Sequence, residues 1–299
     1  MSFVTVGSIG IDTIATPFKK VENVLGGSAS YISFASSYFI TPELVAVVGN
    51  DFSEHYITEF KHHGVDVGNL EIAEGKTFRW GGEYSQNFDI RTTLFTELNV
   101  FESFLPKLSK SAQEAQFLLL GNIHPALQIH VIEQMQSKPF IAADTMNLWI
   151  DIALGDLKVL ISRINLLIIN DEEALMLTGE RDPAKAAKQI RAMGPSIVVI
   201  KKGQNGALLF NNNTVFWAPA MLLPDVQDPT GAGDSFAGGM LGYLAKVNNI
   251  NDSSLRKAVI YGSVMASFCV EKFSVEGLLN RSIDEIEARY TSFKNLVQF

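Results

Sequence analysis

The chain has 299 residues, with 24 Lys and Arg against 32 Asp and Glu, so its formal net charge is −8. A net-negative chain lacks the basic surface that nucleic acids and anionic membranes require, and 47% hydrophobic residues are enough for a sizeable core. No apolar run reaches the ~18 residues of a membrane span, and Cys269 alone cannot form an internal disulfide. We therefore expect a cytoplasmic globular protein with neither nucleic-acid nor membrane partners.

Short apolar runs alternate with stretches of helical periodicity, which is typical of a parallel sheet covered by helices. The runs predicted to be strands are 4–7, 44–48, 117–120, 140–143, 166–169 and 196–200, followed by a hairpin of 207–210 and 215–217 around the asparagines 211–213. Polar or glycine residues follow most of these strands, at the sheet edge where ligands bind in α/β folds. The pattern predicts a single α/β domain over 1–299, with a central, mostly parallel sheet flanked by helices.

Residues 10–24 and 72–100 do not follow this alternation of strands and helices, because they mix aromatic, charged and paired glycine residues in extended stretches. We interpret them as a small second β-sheet that forms a lid; the alternative is two surface excursions without function. The aromatic and basic side chains of the second stretch could stack on a nucleobase, bind a phosphate, fill the lid or form a dimer contact. They are Phe78, Arg79, Trp80, Tyr84, Phe88 and Arg91.

The strongest chemical motif is Asp-Pro-Thr-Gly-Ala-Gly-Asp at 228–234. Apolar residues at 236, 240, 243, 244 and 247 follow it with helical spacing, so the glycines lie in or just before a first helical turn. Small residues let a ligand approach the backbone, and the free N–H groups of a helix start favour an anion. Asp234 is then either a general base beside a phosphate or an ordinary N-terminal helix carboxylate.

Other nucleotide and hydrolase motifs are missing. Gly75-Lys76-Thr77 resembles the end of a P-loop, but Leu70 stands where that motif requires glycine. The chain also lacks a G-x-G-x-x-G that opens a helix after the first strand and a G-x-S-x-G elbow. An NAD- or flavin-dependent enzyme and a common hydrolase are therefore disfavoured.

Segment 228–234 resembles the D-x-x-G-A-G-D signature of the ribokinase/PfkB family of sugar and nucleoside kinases. Further segments resemble that family in the same order, from residue 4 to about residue 280. They are Gly7-Ser8-Ile9-Gly10-Ile11-Asp12, Gly26-Gly27-Ser28-Ala29-Ser30, Asn170-Asp171-Glu172-Glu173 and Lys201-Lys202-Gly203-Gln204-Asn205-Gly206. The resemblance implies a ribokinase-like α/β fold with a β lid, and an ATP- and Mg²⁺-dependent kinase.

The resemblance also implies roles for individual residues. Asp234 would deprotonate the hydroxyl that attacks ATP, and the N–H groups of Gly231, Ala232 and Gly233 would form an anion hole. The residues implied to bind the acceptor are Asp12, Gly26, Gly27 and Ser28. Those implied to bind the nucleotide are Asn170, Lys201, Gly203, Gly206, Thr230 and Gly277. Asn147 follows the strand that ends at Asp144, so both could line the same cleft.

Two cation sites follow from the same resemblance. Glu173 would act on Mg²⁺ through water, and Asp228 with Thr230 could border a monovalent cation such as K⁺. A second interpretation of Asn170 and Glu173 is a helix N-cap with its capping-box acid, which has the same spacing.

Ser28-Ala29-Ser30 stands where the Gly-Gly-Lys-Gly-Ala-Asn motif of ribokinase has Lys-Gly-Ala, which argues against ribose as the acceptor. The identity of the acceptor therefore stays open between a sugar and a nucleoside. A non-catalytic protein that senses a nucleotide or sugar on the same scaffold is the alternative function, although such a protein needs no base at Asp234. The partly apolar segment 77–95 is compatible with a homodimer that forms through the lid.

Overall fold

The computed structural model describes residues 1–212 and 214–297. The strands are β1 Phe3–Val6, β2 Gly10–Ala15, β3 Lys20–Gly26, β4 Pro42–Gly49, β5 Asp66–Ala73, β6 Phe78–Tyr84, β7 Arg91–Glu97, β8 Phe117–Leu120, β9 Phe140–Asp144, β10 Leu166–Asn170, β11 Ile197–Lys201, β12 Ala207–Asn211 and β13 Thr214–Ala218. The helices are α1 Ser28–Ser37, α2 Glu54–His62, α3 Lys110–Gln113, α4 Pro125–Gln134, α5 Asn147–Ile152, α6 Leu154–Ile161, α7 Asp171–Thr178, α8 Pro183–Met193, α9 Ala232–Val247, α10 Asp252–Cys269 and α11 Ile283–Val297. Short 3₁₀ turns lie at Asn99–Ser103, Gly203–Asn205 and Ser274–Gly277.

The main sheet has nine strands in the order β13-β12-β11-β10-β9-β8-β1-β4-β5. All neighbours from β11 to β5 pair in parallel, and β12 and β13 extend the sheet at one edge as an antiparallel hairpin. This arrangement confirms the predicted α/β class with a mostly parallel sheet. Of the asparagines expected at the hairpin turn, Asn213 lies outside the described residues.

The parallel strands are apolar throughout because both faces of the sheet are buried. Along β8, Phe117 and Leu119 contribute to one core and Leu118 and Leu120 to the other. Helices α1, α9 and α10 cover the first face, and α4, α6 and α8 cover the second. Because the strands are parallel, their carboxyl ends meet at one edge, where the side chains of β9, β10 and β11 converge.

The second sheet has four strands in the order β3-β2-β6-β7. Strand β2 pairs antiparallel with β3 and parallel with β6, and β6 pairs antiparallel with β7. The limits predicted for this sheet need two corrections. The first segment extends to Gly26, and residues 72–73 end β5 in the main sheet, where they pair with Val48 and Gly49. Edge strand β5 is only half-buried and lacks the continuous apolar run that marks the inner strands.

Within the described ranges, every helix is too short or too polar to cross a lipid bilayer.

Candidate active site

The loop before α9 brings backbone N–H groups to the sheet edge. Gly231 is the N-cap of α9 with φ 75°, a left-handed conformation, and a Cβ added there would lie 2.3 Å from the Tyr31 ring. The Ala232 N–H donates to the carbonyl of Pro229 at 3.2 Å. Across the described residues, the N–H groups of Gly231 and Gly233 have no acceptor. The glycine-rich turn predicted before this helix therefore presents two free donors, and Ala232 is used within the loop.

Asp234 lies in the first turn of α9 and is half-buried. Burial, followed by the nearby Asp144 carboxylate, raises the pKa of its carboxyl to about 7, against the opposing effect of the Lys201 and Arg91 charges. A carboxyl with a pKa of about 7 is available as a base at neutral pH and as an acid once it has taken up a proton.

Asp12 on β2 is a buried carboxylate with an unfilled hydrogen-bonding capacity. Its side chain is 3% exposed, and in the described structure its Oδ1 has no hydrogen-bond partner. A Cβ on Gly26 would lie 1.9 Å from Oδ2, so only glycine leaves room for this carboxylate against β3. Burial, followed by the charges of Asp228 and Asp234, raises the Asp12 pKa to about 8. Buried polar atoms are normally hydrogen-bonded, so the free oxygen indicates a place for an external donor.

The start of α1 is fixed to the segment between β1 and β2. Gly27 has φ 88°, and a Cβ there would lie 2.4 Å from the Ser8 carbonyl oxygen. The Ser28 N–H donates to Ser8 Oγ and the Ser8 N–H donates to Ser28 Oγ, both at 3.2 Å. Ser28 therefore uses its side chain to hold the backbone that leads into Asp12, while its role as an acceptor contact stays a prediction.

Lys201 and Asp144 stand at the carboxyl ends of β11 and β9. The Lys201 Nζ donates to both Asp144 carboxylate oxygens at 3.1 Å, and a Cβ on Gly233 would lie 2.9 Å from the same Nζ. Burial acts to lower the Lys201 pKa, but Asp144, Glu173 and Asp234 outweigh it and raise the pKa, which keeps the ammonium charged.

Asn170 and Glu173 form a capping box at the start of α7. Asn170 Oδ1 accepts the Glu173 N–H at 2.7 Å, and Glu173 Oε2 accepts the Asn170 N–H at 3.0 Å. The capping interpretation left open by the sequence is therefore present in the structure. Burial, opposed by the charge of Lys201 and assisted by that of Asp144, raises the Glu173 pKa to about 7. Buried carboxylate and amide oxygens at this sheet edge fit the ligand chemistry of Mg²⁺.

Asp228 shapes the loop from within. Its carboxylate is fully buried and accepts the Thr230 N–H at 2.8 Å and the Ser274 N–H at 3.1 Å. Burial raises the pKa of Asp228, and these N–H donors lower it in part. Thr230 Oγ1 shares a 2.9 Å hydrogen bond with the hydroxyl of Tyr84 on β6. The second sheet thus contacts the loop before α9 directly, a link that separate sequence segments could not reveal.

The remaining predicted positions lie outside this cluster of hydrogen bonds. Asn147 is exposed at the start of α5, and its Oδ1 accepts the N–H of Leu148 at 3.0 Å. Gly203 and Gly206 have φ values of 52° and 87° in the turn before β12. A Cβ on Gly206 would lie 2.0 Å from the Ala218 carbonyl oxygen and one on Gly277 would lie 2.1 Å from the Phe268 carbonyl oxygen, so these two glycines allow close backbone packing, whereas a Cβ on Gly203 would meet no atom within 4 Å. The contact of these glycines with a nucleotide stays a prediction.

The chain matches the family described as "pfkB family carbohydrate kinase" over residues 2–280. It is 26% identical to the cytidine kinase of Thermococcus kodakarensis over 248 residues, which are 81% of this chain and 87% of that enzyme. Its fold is similar to the nucleoside kinase of Methanocaldococcus jannaschii, with a TM-score of 0.78 at 19% identity over 98% of this chain and 99% of that one. An Escherichia coli protein described as a ribokinase II, solved with ATP and Mg²⁺, gives a TM-score of 0.78 at 19% identity, over 98% and 100% of the two chains.

Proposed function

Since the chain belongs to the pfkB family of carbohydrate kinases, it is a phosphotransferase with a hydroxyl acceptor, and we propose how its residues carry out the transfer. The reaction moves the γ-phosphoryl group of ATP to a hydroxyl of a sugar or nucleoside. One observation carries the assignment of the chemistry: Asp234, with a pKa of about 7, lies in the first turn of α9 beside the free N–H groups of Gly231 and Gly233.

In this reaction Asp234 takes the proton of the acceptor hydroxyl as its oxygen attacks the γ-phosphorus. A new P–O bond forms to the acceptor, the bond between the γ-phosphorus and the β–γ bridging oxygen breaks, and its electron pair leaves with ADP. The Gly231 and Gly233 N–H groups hold the charge on the transferring group, while Ala232 keeps its bond to Pro229. Preorganised donors of this kind commonly contribute about 3 kcal/mol each to transition-state stabilisation.

Asp12 binds the acceptor. Its unpartnered Oδ1 is buried near Asp234, whose charge contributes to the raised Asp12 pKa. A carboxyl group, ionised or protonated, can hydrogen-bond to neighbouring hydroxyls of a ribose or another sugar. Such bonding would satisfy the buried oxygen and direct one hydroxyl toward Asp234.

Glu173 and Asn170 are the residues that would hold Mg²⁺, through water where the capping box occupies their oxygens. Mg²⁺ neutralises phosphate charge when it is bound with ATP. Each Asp228 carboxylate oxygen accepts one backbone N–H bond, so a K⁺ ion beside Asp228 would share a carboxylate that already holds the loop before α9.

The second sheet acts as the lid over the acceptor, and its outer strand provides a dimer surface. Strand β7 is an exposed edge strand, and Ile90, Leu94 and Phe95 are 62%, 52% and 37% exposed. Edge strands with exposed apolar side chains pair readily with another chain. A molar mass of twice 32.8 kDa in solution, reduced to one chain by Leu94→Lys, would support this homodimer.

The test is ADP release from Mg·ATP with a panel of nucleosides and sugars, run on the wild type, Asp234→Asn and Asp225→Asn. Loss of the base is expected to lower kcat by ~10³-fold with nucleotide binding retained. Asp225→Asn makes the same change at an exposed position in the preceding loop and is expected to leave kcat unchanged. Turnover of Asp234→Asn within tenfold of the wild type would contradict the mechanism. A non-catalytic sensor would bind Mg·ATP without turning over any acceptor.

A further inference from the structure

Lys201 and Asp144 form a buried ion pair that the transfer described above does not use. The Lys201 Nζ contacts both Asp144 oxygens at 3.1 Å, and the two side chains are only 17% and 6% exposed. They extend from the carboxyl ends of β11 and β9, on either side of β10. Both charged groups therefore lie at the sheet edge that faces the glycine-containing loop before α9.

The ammonium group is placed against the glycines of that loop. A Cβ on Gly233 would lie 2.9 Å from Lys201 Nζ, so any side chain there would press on the ammonium group. The charge of Lys201 also acts on the carboxyls of Asp234 and Glu173. Nζ is therefore close to the base, to the free N–H groups and to the residues that would hold Mg²⁺.

This position is electrostatically unusual for a lysine. The N-terminal end of a helix carries a partial positive charge, which disfavours a cation beside it. A buried ion pair is itself a weak source of stability, because desolvation of both charges offsets their attraction. The Asp144, Glu173 and Asp234 carboxylates keep the ammonium charged at this helix start, and an anion with several negative oxygens can accept N–H bonds from Nζ and from the free backbone donors together.

We propose that Lys201 is a catalytic residue that contacts the transferring γ-phosphoryl group, and that Asp144 is a positioning residue that holds the ammonium in place. The proposal rests on the kinase function above and assigns Lys201 to the phosphoryl group rather than to the rest of the nucleotide. The ammonium donates N–H bonds to the non-bridging oxygens, and it neither gives up nor takes a proton. The Asp144 carboxylate prevents the ammonium from swinging onto Asp234, where it would block the base.

The test compares two nucleotides that differ at the γ-phosphate. Dissociation constants for Mg·ADP and for the non-hydrolysable analogue Mg·AMP-PNP are measured by calorimetry on the wild type, Lys201→Met and Lys202→Met. Lys201→Met should weaken AMP-PNP binding about tenfold or more beyond any effect on ADP, as expected for loss of a charge-assisted hydrogen bond. Lys202→Met removes the neighbouring lysine, whose Nζ faces Asp171 at 3.3 Å, and should leave the ratio unchanged.

Asp144 is tested through its dependence on Lys201. Asp144→Asn should reduce the AMP-PNP preference in the same direction, Asp144→Glu should restore part of it, and Asp144→Asn/Lys201→Met should match Lys201→Met alone. The double variant removes both charges together, so it tests the proposal even if Lys201→Met fails to fold around an unpaired Asp144. If the two single variants each reduce the preference for AMP-PNP over ADP and their effects add in the double variant, the positioning role of Asp144 is overturned.

The outcomes separate this proposal from the proposed function. Equal weakening of ADP and AMP-PNP in Lys201→Met, with turnover by the wild type intact, overturns the γ-phosphoryl contact and leaves the kinase assignment standing. A wild type that binds neither nucleotide overturns both. Loss of the preference for AMP-PNP over ADP in Lys201→Met and in the double variant, with ADP binding retained, supports the contact between Lys201 and the γ-phosphoryl group.

Discussion

Replacement of Gly231 by alanine should destabilise the protein more than replacement of a glycine with the same backbone conformation elsewhere. Gly231 has φ 75° and ψ 1°, and Gly179 at the end of α7 has φ 74° and ψ 3°. A Cβ at Gly179 meets no atom within 4 Å, whereas one at Gly231 would lie 2.3 Å from the buried Tyr31 ring. The pair of variants therefore separates backbone strain from the collision with Tyr31.

The expected magnitudes follow from these two terms. A left-handed alanine costs about 1–2 kcal/mol, which is the whole effect expected for Gly179→Ala. Overpacking against a buried ring adds about 1–3 kcal/mol, so Gly231→Ala should lose about 2–5 kcal/mol in free energy of unfolding. The displaced turn also moves the N–H donors, and a misplacement of about 1 Å can reduce kcat by about 10²-fold.

Urea unfolding at one pH gives the free energies, and ADP release gives kcat. The additional variant Tyr31→Ala removes all of the ring atoms that collide, so Gly231→Ala should cost less in that background than in the wild type. Two results would show that the Tyr31 ring is not the reason for glycine at 231. One is an equal loss of free energy of unfolding in Gly231→Ala and Gly179→Ala, and the other is the same cost of Gly231→Ala with and without the Tyr31 ring.

Two further predictions concern Asp12 and Tyr84. The Asp12 pKa is about 8 in the folded protein against 3.8 when unfolded, so its contribution to stability is full below pH 3.8 and lost as pH rises to about 8. Between pH 5.5 and 8, the free energy of unfolding of Asp12→Asn should therefore fall by about 3 kcal/mol less than that of the wild type, and identical pH dependences in urea titrations would contradict this. Tyr84→Phe removes the hydrogen bond between the second sheet and the loop before α9, and should raise the acceptor KM several-fold while changing stability by about 1 kcal/mol or less. Tyr38→Phe, which removes a hydroxyl bonded to the Leu278 carbonyl, is the control, and an equal KM change in both variants would refute a specific role of the contact between Tyr84 and Thr230.

The sequence predicts those parts of the fold that depend on local pattern. The inner strands of the main sheet are recognisable because both of their faces are buried and their residues are uniformly apolar. Edge strand β5, with exposed and half-buried positions in Asp66–Ala73, carries no such signal, so the sequence prediction places its last residues in the second sheet. Solvent on one side of a strand weakens the pattern on which the prediction depends.

The same distinction holds for the site. The start of α9 follows from apolar spacing after Gly231-Ala232-Gly233, so the position of Asp234 in the first turn could be predicted. The reason for glycine at 231 is the Tyr31 ring on α1, and the partner of Lys201 is Asp144 two strands away. Such contacts join residues that are far apart in the chain, and composition and spacing do not encode them.

The pairing of the second sheet has a consequence for the order of folding. That sheet consists of two hairpins, β2-β3 and β6-β7, which are joined by the parallel pairing of β2 with β6. An isolated two-stranded hairpin is marginally stable in water, and pairing between distant segments must first overcome the entropy of closing the intervening loop. The main-sheet strands β4 and β5 lie between the hairpins in the chain, so their docking shortens the distance that the two must span. We therefore expect the surface around Asp12 to form late in folding, after β4 and β5 have docked.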